Sequence, residues 1–377
     1  MTEIRYAIIG AGMMGQEHIR NIALLKNTSV SVICDPDQAM RNESLAIAEQ
    51  LGSKHITAAS SPCEIDLAAL ADALVIVSPN HTHHSLLKEL LPLEIPILVE
   101  KPLCTTIEDT AEIVSAMKHR KAPVWVAMEY RYMPPTSRLI KEIQSNRIGN
   151  LQMLSIQEHR YPFLPKIGDW NRFSKNTGGT LVEKCCHYFD LMCLITKANP
   201  TRIFASGGCD VNHLDERYDG RTPDIIDNAL AIVDFDNGMR CSMDLCMFAE
   251  GSDPQEIITA VGDNGKLVVR LPGPDRFWPD TPPKHADLAF MPREASPATI
   301  ETIEVDEKLL AAGDHHGGTF YQHFKFANAI RTRAPVEVSV SDGAIAVAIG
   351  LAAEQSIKTG EAVKIDTRNL KASQATV

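Results

Sequence analysis

A chain of 377 residues exceeds what one ordinary hydrophobic core organises, so two domains are expected. At 44% hydrophobic and 23% charged residues the composition is that of an ordinary water-soluble protein, and a net charge of −11 without any run or stripe of Lys or Arg argues against nucleic-acid and anionic-membrane partners. The longest apolar run, Ala344 to Ala353, is too short to span a membrane. The first strand begins almost at Met1, leaving no room for a signal peptide, and the nine cysteines contain no C-x-x-C pair. A cytoplasmic protein with reduced thiols is expected.

Tyr6 to Ile9 is a short apolar run suited to a buried parallel strand, and Gly10, Gly12 and Gly15 then give G-x-G-x-x-G where the strand turns into a helix. Gly10 permits the tight turn, Gly12 removes the side chain that would keep a pyrophosphate from the backbone, and Gly15 lets the helix press against its strand. The cradle is read as Gly10, Gly12, Met13, Met14 and Gly15, with the positive helix end facing a dianion. A second apolar strand, Val30 to Cys34, ends at Asp35, about twenty residues after Gly15, where a carboxylate accepts hydrogen bonds from ribose hydroxyls. That acid repels a 2′-phosphate, so NAD is favoured over NADP.

The alternation continues. Pro36 to Leu51 has a helical pattern, and Ala73 to Val77 is a buried strand that ends at Ser78-Pro79-Asn80-His81-Thr82-His83-His84, the edge where such sheets hold ligands. Three histidines suggest a metal, but no cysteine or carboxylate lies at ligand spacing beside them, so none is assigned. Ile97 to Val99 delivers Glu100-Lys101-Pro102 to the same edge, where Pro102 holds Lys101 extended and aims its ammonium. Thr106 to His119 reads as a helix and Val124 to Ala127 as the last strand of this half.

The glycine turn, Ser78-Pro79-Asn80 with His83, and Glu100-Lys101-Pro102 together resemble the Gfo/Idh/MocA family of sugar and cyclitol dehydrogenases, and the likeness covers nearly the whole chain. It implies an α/β chain with an N-terminal NAD-binding Rossmann domain, a doubly wound parallel sheet, over 1–127. A C-terminal α+β domain over 128–377, with a large open-faced, mainly antiparallel sheet, would bind substrate and make a homo-oligomer, dimer or tetramer. The cofactor set adds Asp35, Ser78, Asn80, His83, Glu100 and Lys101 to the cradle.

The second half agrees. Leu151 to Arg160, Asn228 to Phe235, Met239 to Phe248, Glu256 to Val261 and Lys266 to Val269 read as strands, with hairpin turns at Asp236-Asn237-Gly238 and Asp263-Asn264-Gly265. The Pro-rich segment Leu271 to Pro297 has no periodic pattern and is expected to be a long loop or arm. Helices at Thr319 to Arg331 and Asp342 to Lys358 and a strand near Ala362 to Ile365 close the chain.

If Leu181 to Leu194 is one helix, Glu183, His187 and Asp190 fall at i, i+4 and i+7 on one face of an otherwise apolar segment. By resemblance to the family's G-G-x-L-x-D-x-G-x-H-x-x-D, Glu183, His187 and Lys101 are the catalytic set, and Asp190 touches substrate or orients His187. Glu183 replaces the family's Asp and Cys185 its Gly. Tyr130 and His159 resemble further substrate ligands, while Trp170 and the His315-His316 pair are weaker candidates. The expected reaction is reversible hydride transfer, in which His187 takes the proton of a secondary hydroxyl and Lys101 stabilises the alkoxide-like oxygen. Two rivals remain: an NAD-binding regulator on the same scaffold, and a family enzyme that retains its cofactor, either glucose-fructose oxidoreductase-like or an NAD-dependent glycosidase.

Overall fold

The structure, a computed structural model, describes residues 3–278, 280–282 and 284–371. The chain divides into two compact units, one of Met1–Tyr132, Asp306–Ala344 and Asn369–Val377, the other of Met133–Val305 and Ile345–Arg368.

In the first unit β1 (Ile4–Ile9), α1 (Met13–Ala23), β2 (Thr28–Cys34), α2 (Gln38–Gln50), β3 (Thr57–Ala59), α3 (Leu67–Leu70), β4 (Ala73–Ile76), α4 (His83–Leu90), β5 (Ile97–Glu100), α5 (Ile107–Ala116) and β6 (Val124–Ala127) alternate along the chain. The six strands pair in parallel in the order β3-β2-β1-β4-β5-β6. This is the doubly wound dinucleotide-binding order, whose strand order reverses beside β1 and β4. Every residue of β4, β5 and β6 is buried. Strands covered on both faces need unbroken apolar runs, which is why they read so clearly in the sequence.

The other unit holds α6 (Pro134–Gln144), β7 (Leu151–His159), α7 (Ser174–Thr177), α8 (Thr180–Glu183), α9 (Cys186–Thr196), β8 (Pro200–Gly208), β9 (Asn228–Phe235), β10 (Arg240–Cys246), β11 (Glu256–Gly262), β12 (Gly265–Leu271), β13 (Ala286–Pro292) and β14 (Thr299–Ile303). Next, α10 (Glu307–Ala312) and α11 (Gly318–Thr332) belong to the first unit, α12 (Val340–Thr359) crosses the division after Ala344, and β15 (Val363–Lys364) returns to the second. The nine-stranded sheet runs β14-β13-β12-β11-β7-β10-β9-β8-β15, antiparallel except for the parallel pair β7 and β10.

One face of that sheet is buried, with Leu154 and Ile156 of β7 and Ile203 and Ala205 of β8 inward. The alternate residues face out. Phe204, Leu230 and Ile232 are exposed at 45%, 62% and 51%, and Phe204 lies directly opposite Ile232 across the β8–β9 pair. That is an uncovered apolar patch on a sheet face.

One expectation needs correction, and two further elements add to the sequence reading. The segment Leu271 to Pro297 is not wholly a loop: β13 lies inside it, hydrogen-bonded to β12 and β14, while residues 279 and 283 lie outside the described residues. Prolines around β13 hid its alternation. The segment Pro200 to Gly208 also forms a strand, half-exposed and interrupted by polar residues. Finally, α12 has 20 residues and is apolar enough by length and composition to cross a membrane, although most of it is buried inside the protein. Its glycines explain that burial: a Cβ on Gly350 would press on Leu181 and Val182, so this helix is packed closely as core.

Candidate active site

The glycine turn is built as its spacing requires. Gly10 has φ +104°, and a Cβ there would stand 2.6 Å from the Val77 carbonyl and the Ser78 amide, so the turn is pressed against the end of β4. A Cβ on Gly15 would enter the Gly10 carbonyl oxygen. Gly12 is the opposite case: it caps α1 without a side-chain hydrogen bond, and a Cβ there would meet nothing within 4 Å. No acid occupies the first turn of α1, Met13 is exposed and Met14 half-buried. An open, uncapped helix N-terminus beside a residue without a side chain fits a pyrophosphate.

Asp35 sits where the ribose reading needs it and also braces the turn. Its Oδ2 accepts from the Ala11 amide at 2.7 Å and its Oδ1 from the Asp37 amide at 2.8 Å. A carboxylate offers about four acceptor positions, so hydroxyls can still be bound. The Arg41 guanidinium donates to the Asp35 carbonyl, and Ser44 donates to the Ala11 carbonyl at 2.9 Å.

At the ends of β4 and β5 the expected residues divide into two kinds. The Ser78 and Thr82 hydroxyls bond each other at 2.6 Å, and Asn80 is 7% exposed with a side-chain amide nitrogen that finds no acceptor among the described residues. An orphaned donor at the ligand edge fits a cofactor group that would accept from it. His83, by contrast, is fully buried, with Nδ1 2.8 Å from the Pro102 carbonyl and Nε2 3.0 Å from the Ser78 carbonyl. Burial holds its pKa below the ordinary value, offset only in part by those carbonyls. It therefore ties the two loops together from within. His84 turns elsewhere, to Glu112 at 2.8 Å and Asp109 at 3.4 Å.

Glu100 is buried beneath Lys101. Its Oε2 accepts from the Lys101 amide at 3.1 Å and its Oε1 lies 3.0 Å from Nε2 of His18, whose Nδ1 lies 2.7 Å from Nε2 of His323. Burial alone would raise the Glu100 pKa, but the His18 hydrogen bond and the charges of His18 and Lys101 hold it below the ordinary value. Burial also pushes His323 well below the usual imidazole value.

Tyr130 is 4% exposed and its ring lies 5.9 Å from that of His315, tilted at 45°; His315 is one of the weaker candidates. His315 bonds Glu17 through Nδ1 at 2.8 Å, and its Nε2 stands 3.9 Å from the buried carboxylate of Glu129. Burial would raise Glu17, but the His315 charge and hydrogen bond, with help from Thr319 and His18, bring it down to about 2.

In the second unit the expected single helix is two. Glu183 ends α8, and α9 begins at Cys186, with Lys184 and Cys185 between them. The amides of Tyr188 and Phe189 both bond the Cys185 carbonyl, so the hydrogen-bond ladder restarts there. His187 and Asp190 share α9 and Glu183 stands before the break, although Lys184 and Cys185 between them keep right-handed helical dihedrals. Glu183, His187 and Asp190 are all buried, at 7%, 2% and 2% exposure. Lys184, at the break, is buried and reaches Glu158 of β7 at 2.9 Å. Upstream, Glu354 accepts from the Leu181 amide at the start of α8, and Gly179 leaves the room that its carboxylate fills.

Glu158, Lys184 and Glu256 were not among the expected site residues. Glu158 lies directly across the β7–β11 pair from Glu256, and both are buried. Burial would raise both carboxyls. Lys184 and Arg160 hold Glu158 down, whereas Glu256, facing the Glu158 charge, is pushed up to about 7. The signal was present, since Leu154, Ile156 and Glu158 share one phase of a strand whose inward face is apolar. The same alternation places His159. It lies on the other face of β7, half-exposed and 3.1 Å from Asp244, not on the face that carries Lys184. Trp170 is half-buried in the irregular turn Ile167–Arg172.

Among the described residues no cluster of His, Cys, Asp or Glu is arranged to hold a metal ion. The curated relatives include an uncharacterized oxidoreductase, YrbE, of Bacillus subtilis, 26% identical with 97% of each chain covered, and a myo-inositol 2-dehydrogenase of Thermotoga maritima, 22% identical over 96% of this chain and 99% of that one. Among solved structures, a levoglucosan dehydrogenase in complex with NADH superposes with a TM-score of 0.80 at 19% identity, covering 97% of this chain and all of that one, which speaks to the fold. The family model for the NAD-binding Rossmann fold matches residues 4–128, and that for the oxidoreductase C-terminal alpha/beta domain matches 140–365. The chain belongs to the Gfo/Idh/MocA family of oxidoreductases.

Proposed function

We propose that this protein is an NAD-dependent dehydrogenase that oxidises a secondary hydroxyl of a sugar, sugar derivative or inositol-like cyclitol, and reduces the ketone in reverse. The observation that carries the reading is the pairing, at one sheet edge, of an open Gly12 cradle braced by Asp35 with the Lys101 presented by β5. A relative named as a myo-inositol 2-dehydrogenase and a levoglucosan dehydrogenase of like fold support a polyhydroxylated ring as substrate. NAD is preferred to NADP because the Asp35 carboxylate opposes a 2′-phosphate.

NAD, when bound, supplies the hydride acceptor. The chain's own residues do the rest: Gly10 to Gly15 and Asp35 hold the dinucleotide, and Ser78 and Asn80 line its path. His187 takes the hydroxyl proton on an imidazole nitrogen, a role suited to a group with an ordinary pKa of about 6.5. Lys101, braced by Glu100, donates a hydrogen bond to the oxygen as negative charge builds on it. Glu183 and Asp190 bind ring hydroxyls or orient His187. The division into a nucleotide domain over 1–127 and a substrate domain over 128–377, assembly into a homo-oligomer through the apolar sheet face, and a cytoplasmic location belong to the same reading. The test is a panel of sugars and cyclitols with NAD or NADP, scored by nicotinamide absorbance. Reduction of NAD by at least one of them is expected, and its absence across the panel would favour a regulator.

A further inference from the structure

The interior behind Lys101 holds more ionisable groups than the edge of a nucleotide-binding sheet needs. Glu129 is 1% exposed. The charged groups around it are Glu100 and Lys101 from the end of β5 and His315 from the segment before α11, with Glu17 and His18 of α1 behind them. Glu100 pairs with Ala127 in the parallel β5–β6 ladder, so Lys101 and Glu129 leave adjacent strand ends on one edge. Stability alone does not account for this. Burying a carboxylate costs several kcal/mol, and replacing buried ionic groups by apolar ones is commonly neutral or stabilising.

Building on the dehydrogenase reading, we propose that Glu129 is a positioning residue whose protonation sets the strength of Lys101. With Glu129 neutral, the ammonium keeps its field for the alkoxide-like oxygen. With Glu129 ionised, part of that field is cancelled. His315 bonds Glu17 through Nδ1 and stands 3.9 Å from Glu129 through Nε2, so it adds a second basic group beside this carboxyl. On ionisation the Glu129 O–H bond breaks, the electron pair stays on the carboxylate and the proton passes to solvent. Burial and the Glu100 charge push the Glu129 carboxyl up to about 7, against the opposing pull of His315 and Lys101, which suits this exchange near neutral pH.

Two measurements on the full chain test it. An infrared difference titration without substrate should give a protonated-carboxyl signal that is lost near neutral pH, absent from Glu129→Gln and kept by Glu129→Asp. Glu256 contributes equally to both proteins and cancels in the comparison. An identical signal in wild type and Glu129→Gln overturns the proposal. With a substrate from the panel, Glu129→Gln should remove one ionisation from the pH profile of kcat, changing the ratio of rates between about pH 6 and about pH 8 by about tenfold, the equivalent of one pKa unit. A uniform loss at every pH would mean a structural role and overturn it. Should Glu129→Gln fail to fold, His315→Gln is expected to move the carboxyl titration upward, and an unmoved titration is the refuting result. If nothing on the panel is turned over, the dehydrogenase reading fails by itself, and the infrared titration still decides the state of Glu129.

Discussion

Gly12 and Gly15 are three residues apart in one motif, yet the structure separates what each does. A Cβ on Gly15 would enter the Gly10 carbonyl oxygen, which is backbone and cannot move without opening the turn. Gly15→Ala should therefore cost about 2–3 kcal/mol of stability, the usual range for overpacking a closed site. Gly12 has φ −72° and ψ −167°, open to any L-residue, and a Cβ there meets nothing. Gly12→Ala should leave the melting temperature of the ligand-free protein unchanged or raise it slightly, since alanine restricts the unfolded chain. Its cost falls on NAD: a methyl group over the helix end holds the pyrophosphate away from amides whose charge-assisted hydrogen bonds are worth about 1.5–3 kcal/mol each. The loss of one or two such bonds corresponds to a rise of about a hundredfold in Kd. Thermal unfolding and calorimetric NAD titration of both variants make the comparison. Were Gly12→Ala to bind NAD as tightly as wild type, or to unfold like Gly15→Ala, the assignment of this turn as a pyrophosphate cradle would be refuted.

Lys101→Ala is expected to bind NAD nearly as wild type while kcat falls about a hundredfold, since a donor aimed at developing charge is worth about 3 kcal/mol; His187→Ala should lose kcat too, partly regained at high pH where hydroxide takes the proton. Steady-state kinetics leaving both variants close to wild type would remove the dehydrogenase mechanism. Leu230→Glu with Ile232→Glu, on the exposed apolar face, should convert an oligomer to monomers by light scattering without lowering the stability of the subunit by more than about 1 kcal/mol. Glu256 makes a pH prediction: its carboxyl is raised from the ordinary 4.5 to about 7 when folded, so the folded state binds the extra proton. Its contribution is present below the unfolded value and is lost as pH rises towards 7, by at most about 3 kcal/mol, whereas Glu256→Gln should flatten that slope in urea titrations at a series of pH values.

The sequence by itself determined the parts whose physics is local. A run such as Ala73 to Ile76, buried on both faces of a parallel sheet, has to be apolar throughout, and the three glycines had to stand where backbone meets backbone or a dianion. Turns at Asp236-Asn237-Gly238 and Asp263-Asn264-Gly265 carried their own conformational signal and fixed two hairpins. What only the tertiary structure decided depends on partners far away in the chain. Lys184, at the break between α8 and α9, pairs its buried ammonium with Glu158, on a strand 26 positions earlier in number, a partner that the spacing of Glu183, His187 and Asp190 does not announce. Similarly, His159 and Glu158 are neighbours in sequence but lie on opposite faces of β7, so a half-exposed ring and a buried carboxylate follow from which face the helices cover. Glu129, His315 and Glu17 are each unremarkable in sequence. They become one buried group because the segment before α11 returns to α1 and to the end of β6, and charges brought together in a low-dielectric interior change one another's chemistry in a way no spacing records.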